Sequence, residues 1–454
     1  MNDVKLTYTI PSADDLDNPA YQCRVFDRIA VQDYHGKSHF YCLELSAANT
    51  FEFGFCRAQN IYSLFKDVMT VANMKALQGS LPRLMIPSVP SNIWVKYARK
   101  YDPRNIVMWI ANSIVLTPEY KECIRRLHLQ GMQFAVRIDA MQNIMADEET
   151  LSRMEYILVN KDFYPDFKNI IASLRDKYPH LKVIGFKDKI EIFNFTEDEA
   201  KEFDLVLGTV MVPMLEYTPP RPKWQHDMLR IIAQLYSSIY DIKEIGETIA
   251  QYPLMVSSMK KMMASKPLST LTVRLNQKTS DNQALTQNDF RNFMVIAVAY
   301  NLFTLTDKQI TDSRKQPFSL DNINYEPFIQ ALVFGKLADM VSQNQCDDVD
   351  GPQGFMAGLM RYAGVFLHDT KEAAFAEFPL DAATSCYREG SGQLGNVLKA
   401  LTMLTEHKIA EAMSFALENG INITKDKIYY YISQSYIWAD AVIKAIGIIH
   451  ENKE

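Results

Sequence analysis

Short apolar runs alternate with amphipathic stretches along the first half of the chain, whereas almost every segment of the second has apolar residues at helical period. From about Tyr21 to Val212, short runs rich in Val, Ile, Phe and Tyr predict strands over 24–31, 40–45, 83–86, 105–110, 133–137, 156–159, 182–186 and 205–207. Helical periodicity lies between most of them, over 58–71, 92–100, 118–130 and 164–178. Strand, helix and strand at this spacing imply a mainly parallel sheet, and eight strands suggest closure into a barrel; an open doubly wound sheet is the competing arrangement.

The run Thr218-Pro219-Pro220-Arg221-Pro222 reads as a linker, because three prolines fix φ and remove backbone donors. Beyond it the period is helical over 228–240, 242–251, 253–263, 289–303, 325–342, 352–367, 395–404, 408–419 and 425–450. The expected architecture is therefore α/β plus all-α, with a β/α barrel of the TIM type over residues 1–217 and an all-helical domain over 218–454.

Composition narrows the class. The chain of 454 residues is 48% hydrophobic and 22% charged, enough apolar material for a sizeable core, which excludes a disordered scaffold. A formal net charge of −6 supplies no long-range attraction to phosphate backbones or anionic lipid, so neither nucleic acid nor membrane is an expected partner. Met1-Asn2-Asp3-Val4-Lys5 has no export character, and a cytoplasmic location is the expectation. The six cysteines contain no C-x-x-C pair, which fits reduced thiols rather than a disulfide framework or a zinc ribbon.

The order Val25-Phe26-Asp27-Arg28, then Phe40-Tyr41-Cys42-Leu43-Glu44-Leu45, resembles the opening of the EAL domain, a barrel that hydrolyses cyclic di-GMP. The second half resembles an HDOD domain, through residues 224–263 and 354–401, with Phe375-Ala376-Glu377-Phe378-Pro379-Leu380 in a turn. The resemblance implies a bacterial EAL–HDOD signalling protein. It also implies a site at the C-terminal ends of the strands, where acids and an Asn hold two divalent ions that activate water.

Read position by position, that site is nearly gone. Cys42 stands where the family's metal-binding Glu belongs, Pro87 or Ile86 where its Asn belongs, and Trp109 where a second Glu belongs. Arg137 falls on the paired-Asp motif, Leu158 and Asn160 on a Lys and an Asp, and Leu207 on a Gln, while Lys187 matches the family's lysine. Two relic acids are left. Glu44, two residues along the same strand, is either a displaced ligand or a solvated acid, and Asp139 is either a relic ligand or the cap of a helix starting near Ala140. Because Mg²⁺ prefers about six oxygen ligands, one displaced acid cannot assemble a metal pair.

Other motifs are weaker. Gly390-Ser391-Gly392-Gln393-Leu394-Gly395 follows a helical pattern rather than the strand a dinucleotide fingerprint needs. His368-Asp369 lacks companion ligands and reads as an exposed helix end. His35 and His39 flank Gly36 and Ser38, a hairpin signal. The expectation is thus a non-enzymatic signalling adaptor with no catalytic residue, no metal and no cofactor, working through protein partners of bacterial signalling. Two alternatives stand beside it: a receptor that binds cyclic di-GMP through Arg137 and Lys187 without cutting it, and a residual phosphodiesterase using Glu44 and Asp139.

Overall fold

The computed structural model describes residues 24–47, 77–87, 102–110, 117–138, 147–187, 194–211, 221–236, 240–264, 287–305, 324–345, 351–367, 369, 392–406, 408–423 and 425–446. Its first half contains strands β1 (Arg24–Gln32), β2 (Ser38–Ala47), β3 (Leu84–Pro87), β4 (Ile106–Ile110), β5 (Gln133–Arg137), β6 (Tyr156–Asn160), β7 (Lys182–Phe186), β8 (Asn194–Thr196), β9 (Leu205–Leu207) and β10 (Thr209–Met211). Among these lie helices α1 (Pro118–Leu129), α2 (Glu148–Leu151), α3 (Tyr164–Lys177) and α4 (Glu197–Ala200). The helical patterns expected over 58–71 and 92–100 lie outside the described residues.

A closed barrel forms from β1 to β7 and β9, in that order. All eight strands expected from the sequence are its staves, which rules out the open sheet. Strand β1 runs antiparallel to both β2 and β9, whereas every other neighbouring pair is parallel. The β1–β2 connection is the hairpin that Gly36 and Ser38 signal: Gly36 has φ 78° and its N–H donates to the Asp33 carbonyl at 2.9 Å. Strands β8 and β10 make a separate two-stranded parallel sheet that the sequence pattern did not reveal.

Side-chain alternation sorts the barrel residues into two cores. Ile29, Val31, Phe40, Cys42, Met85, Val107 and Trp109 share one buried cluster with Ala135, Tyr156, Leu158, Ile184, Phe186, Leu205 and Leu207. These are every second residue of their strands and fill the barrel. The intervening residues, such as Ala30, Tyr41, Leu84 and Met108, belong to a second cluster that continues without a break into the helical half.

That half comprises α5 (Lys223–Tyr236), α6 (Ile242–Ala250), α7 (Pro253–Ala264), α8 (Gln287–Thr304), α9 (Glu326–Gln345), α10 (Gly351–Met360), α11 (Ala363–Leu367), α12 (Gly392–Thr405), α13 (Ile409–Glu418) and α14 (Lys425–Ile446). The single helix expected over 352–367 is two. Between them Arg361 and Tyr362 donate to Gly358 and Leu359 in tight turns, so the α-helical ladder stops there. The expected linker also needs correction at its end: Arg221 is buried, pairs with the Asp369 carboxylate at 2.5 Å and donates to the Leu367 carbonyl at 3.3 Å. Asp369 is accordingly an ion-pair partner rather than an exposed helix end. Among the described residues no helix is long and apolar enough to cross a membrane.

Candidate functional site

Two regions compete for the role of functional site. The first is the barrel interior with its C-terminal mouth, where the resemblance locates metal chemistry. Cys42, Leu158 and Leu207 are 0% exposed, Phe186 1% and Trp109 3%, all within the barrel cluster. Where oxygen ligands would stand, indole, phenyl and alkyl groups pack against one another. Among the described residues no group of three or more His, Cys, Asp or Glu is placed to hold a metal ion.

The cations picked out from the sequence face different partners. Arg137 ends β5 half-buried, with its guanidinium 5.1 Å from the centre of the Phe186 ring. Lys187 follows Phe186 and turns to the small β8 sheet. Its ammonium donates to the Asn194 carbonyl at 2.9 Å and to Glu199 at 3.1 Å, and lies 4.7 Å from the Phe195 ring centre. Glu199 also accepts Lys161 at 2.9 Å and the Thr196 N–H at 2.9 Å, while its own N–H donates to the Thr196 hydroxyl at 3.2 Å. Burial works against ionisation of Glu199, but the Thr196 N–H and the two lysines outweigh it and hold the carboxyl at about 2. An anion approaching Lys187 would have to displace Glu199. Glu44 pairs with Asp27 in the β1–β2 ladder, its side chain lying outside the described residues, as does Asp139.

The second region is the junction between barrel and helices, which the sequence pattern did not single out. Arg28 points outward from β1 with no solvent exposure and grips Asp440 of α14 with both terminal nitrogens, at 2.5 and 2.9 Å. Its guanidinium sits between two tyrosine rings, 4.0 Å from the centre of Tyr41 and 4.5 Å from that of Tyr436. The Tyr436 hydroxyl donates to Asp27, and the Tyr41 hydroxyl donates to Glu326 at 3.4 Å. Glu326 opens α9 fully buried, and desolvation pushes its carboxyl up to about 7. One turn on, the Gln330 amide donates to Glu326 at 3.0 Å and to the Arg28 carbonyl at 3.5 Å.

A second polar seam runs beside the first. The Gln32 amide of β1 and the Asn324 amide exchange hydrogen bonds at 3.0 and 3.1 Å. The two also close on the backbone of Val210, at 2.8 Å to its N–H and 2.8 Å to its carbonyl. One signal for all this was present: Asp27 and Arg28 interrupt the apolar run of Val25, Phe26, Ile29, Ala30 and Val31, and a charge in such a run is retained only where a partner awaits it.

Next to this junction opens a cavity of about 650 Å³ bounded by β1, the start of β8, α9, α12, α14 and the turn between α10 and α11. Val333, Leu337, Leu404, Ile428 and Ile432 form its apolar wall, while Asp27, Gln330, Arg361 and Tyr362 supply polar groups. Arg361 reaches Glu406 at 3.4 Å, and Glu406 also takes Lys408 at 3.0 Å. No family model matches this sequence, and no curated protein matches it.

Proposed function

We propose that the chain is a non-enzymatic signal-transduction adaptor, with a degenerate EAL-like barrel over 1–217 and an HDOD-like helical domain over 218–454, acting through protein contacts in bacterial signalling. The observation that carries the reading is the packed barrel interior: Cys42, Trp109, Leu158 and Leu207, with Phe186 packed among them, occupy with apolar bulk the positions where the resemblance calls for metal and phosphate ligands. In-line hydrolysis needs room for two cations, a water and a phosphodiester, with oxygen donors around them. The expected outcome with purified full-length protein, cyclic di-GMP and Mg²⁺ or Mn²⁺ is no linearised product above the protein-free control. Turnover that Glu44→Gln or Asp139→Asn abolishes would restore the phosphodiesterase reading.

A second reading has one observation in its favour: Arg137 lies at the end of β5 with its guanidinium on the face of Phe186, an arrangement that suits a phosphate stacked beside a base. Calorimetric titration with cyclic di-GMP separates the two. Micromolar affinity lost in Arg137→Ala supports a receptor, and an absence of heat supports the adaptor.

A further inference from the structure

From the cavity beside the barrel–helix junction we infer a binding site for a short hydrophobic peptide with both termini charged, of dipeptide size. The cavity touches the barrel half at Asp27 and Asn194, but none of its lining residues belongs to the cluster that fills the barrel interior, so the inference does not rest on the adaptor reading. Its volume of about 650 Å³ falls in the usual range for small-molecule sites, and an apolar wall faces an about equal share of polar groups.

Those polar groups are set out in an order that a peptide matches. Asp27 receives the Arg28 N–H and the Tyr436 hydroxyl on a single oxygen, Oδ1, so among the described residues its Oδ2 accepts no hydrogen bond and is left to receive an ammonium. Gln330 uses its amide nitrogen for Glu326 and the Arg28 carbonyl, while its amide oxygen has no donor among the described residues and suits a peptide N–H. The Tyr362 hydroxyl, likewise without a hydrogen-bond partner there, suits a peptide carbonyl. Burial pushes that hydroxyl up to about 12, which keeps its proton available for donation. Arg361, with its guanidinium 5.4 Å from the centre of the Phe334 ring and one nitrogen toward Glu406, keeps further N–H groups for a carboxylate.

The spacing agrees. The Gln330 amide reaches the carbonyl of Arg28, the residue after Asp27, and the Arg361 guanidinium lies over the Phe334 ring, so the two ends of the site are one turn apart along α9, or about 6 Å at 1.5 Å per residue. Two extended residues span about 7 Å. Leucine- or phenylalanine-like side chains would then lie on Leu337, Leu404, Ile428 and Ile432.

The test is calorimetric titration of the full chain with the dipeptide Leu-Phe, its C-terminal amide and its N-acetyl form. The inference expects saturable binding of Leu-Phe and at least tenfold weaker binding of each capped form. In Arg361→Gln the affinity for Leu-Phe should fall about tenfold and become equal to that of the amide, because the group that reads the carboxylate is gone. Leu337→Trp, which fills the cavity, should remove binding while the far-ultraviolet dichroism stays unchanged. Should that variant not fold, Arg361→Gln, half-buried at the cavity edge, decides alone. Absence of heat with Leu-Phe at millimolar concentration, equal affinity for all three probes, or an Arg361→Gln variant that binds as wild type would each overturn the inference.

Discussion

A guanidinium shut away from water has to find its counter-charge inside the protein, and for Arg28 that is Asp440, more than 400 positions later in the chain. Both charges are held by several bonds, so removing either one leaves the other buried and unpaired. Arg28→Ala and Asp440→Ala should each lower the stability read from urea unfolding by about 3–5 kcal/mol, with the double variant costing less than the sum of the two. Glu326 shows the opposite kind of strain. Its carboxyl, at 4.5 in an unfolded chain, is lifted to about 7 by burial, with Arg28, Asp440 and Asp27 contributing fields and Tyr41 and Gln330 donating to it. Between these two values the native state holds a proton that the unfolded state has lost, so stability falls as pH rises through that window and levels off above it. Glu155, also lifted to about 7 by burial, adds a slope of the same sign. Glu326→Gln should therefore match wild type near pH 4.5, flatten the downward slope to pH 7, and be more stable than wild type at pH 8.

At the scale of elements, helices α9 and α10 touch through their backbones. A Cβ on Gly358 would come within 2.7 Å of the Ala338 Cβ and 2.9 Å of the Gly335 Cα. Gly358→Val should force the helices apart and cost about 1–3 kcal/mol, seen as an earlier thermal midpoint. The eight barrel strands were legible in the sequence because both of their faces are buried, as in Ile106–Ile110 and Tyr156–Asn160, which leaves short apolar runs rich in Val, Ile, Phe and Tyr. Strands β8 and β10 were not, since three residues such as Asn194-Phe195-Thr196 are too few to establish a period. The break between α10 and α11 was also invisible, because Arg361 and Tyr362 keep the helical spacing on either side of it. The candidate site was legible only in the negative: the missing ligands could be counted, yet Lys187 looked available for an anion and is held by Glu199. Which distant residue meets Arg28 is a tertiary fact, and periodicity reports only which face is covered.

For the whole molecule, the linker between the halves is a weaker boundary than its prolines suggest. One apolar cluster extends from the outer face of the barrel through the helices, and Arg28, Gln32 and Arg221 lock the halves together with buried polar contacts. Calorimetry should accordingly record one cooperative transition rather than two, and two separated peaks would contradict it. Residues 1–217 expressed alone should be insoluble, since they would expose Arg28 and the apolar face around Tyr41. The direction of β1 gives this joint a further meaning. As the lone antiparallel stave it closes the ring, and its outward side is also the surface on which the last long helix rests. A displacement of α14 is therefore transmitted straight to the seam of the barrel, like a hand on a latch: whatever shifts that helix loosens the hoop, and whatever tightens the hoop seats the helix.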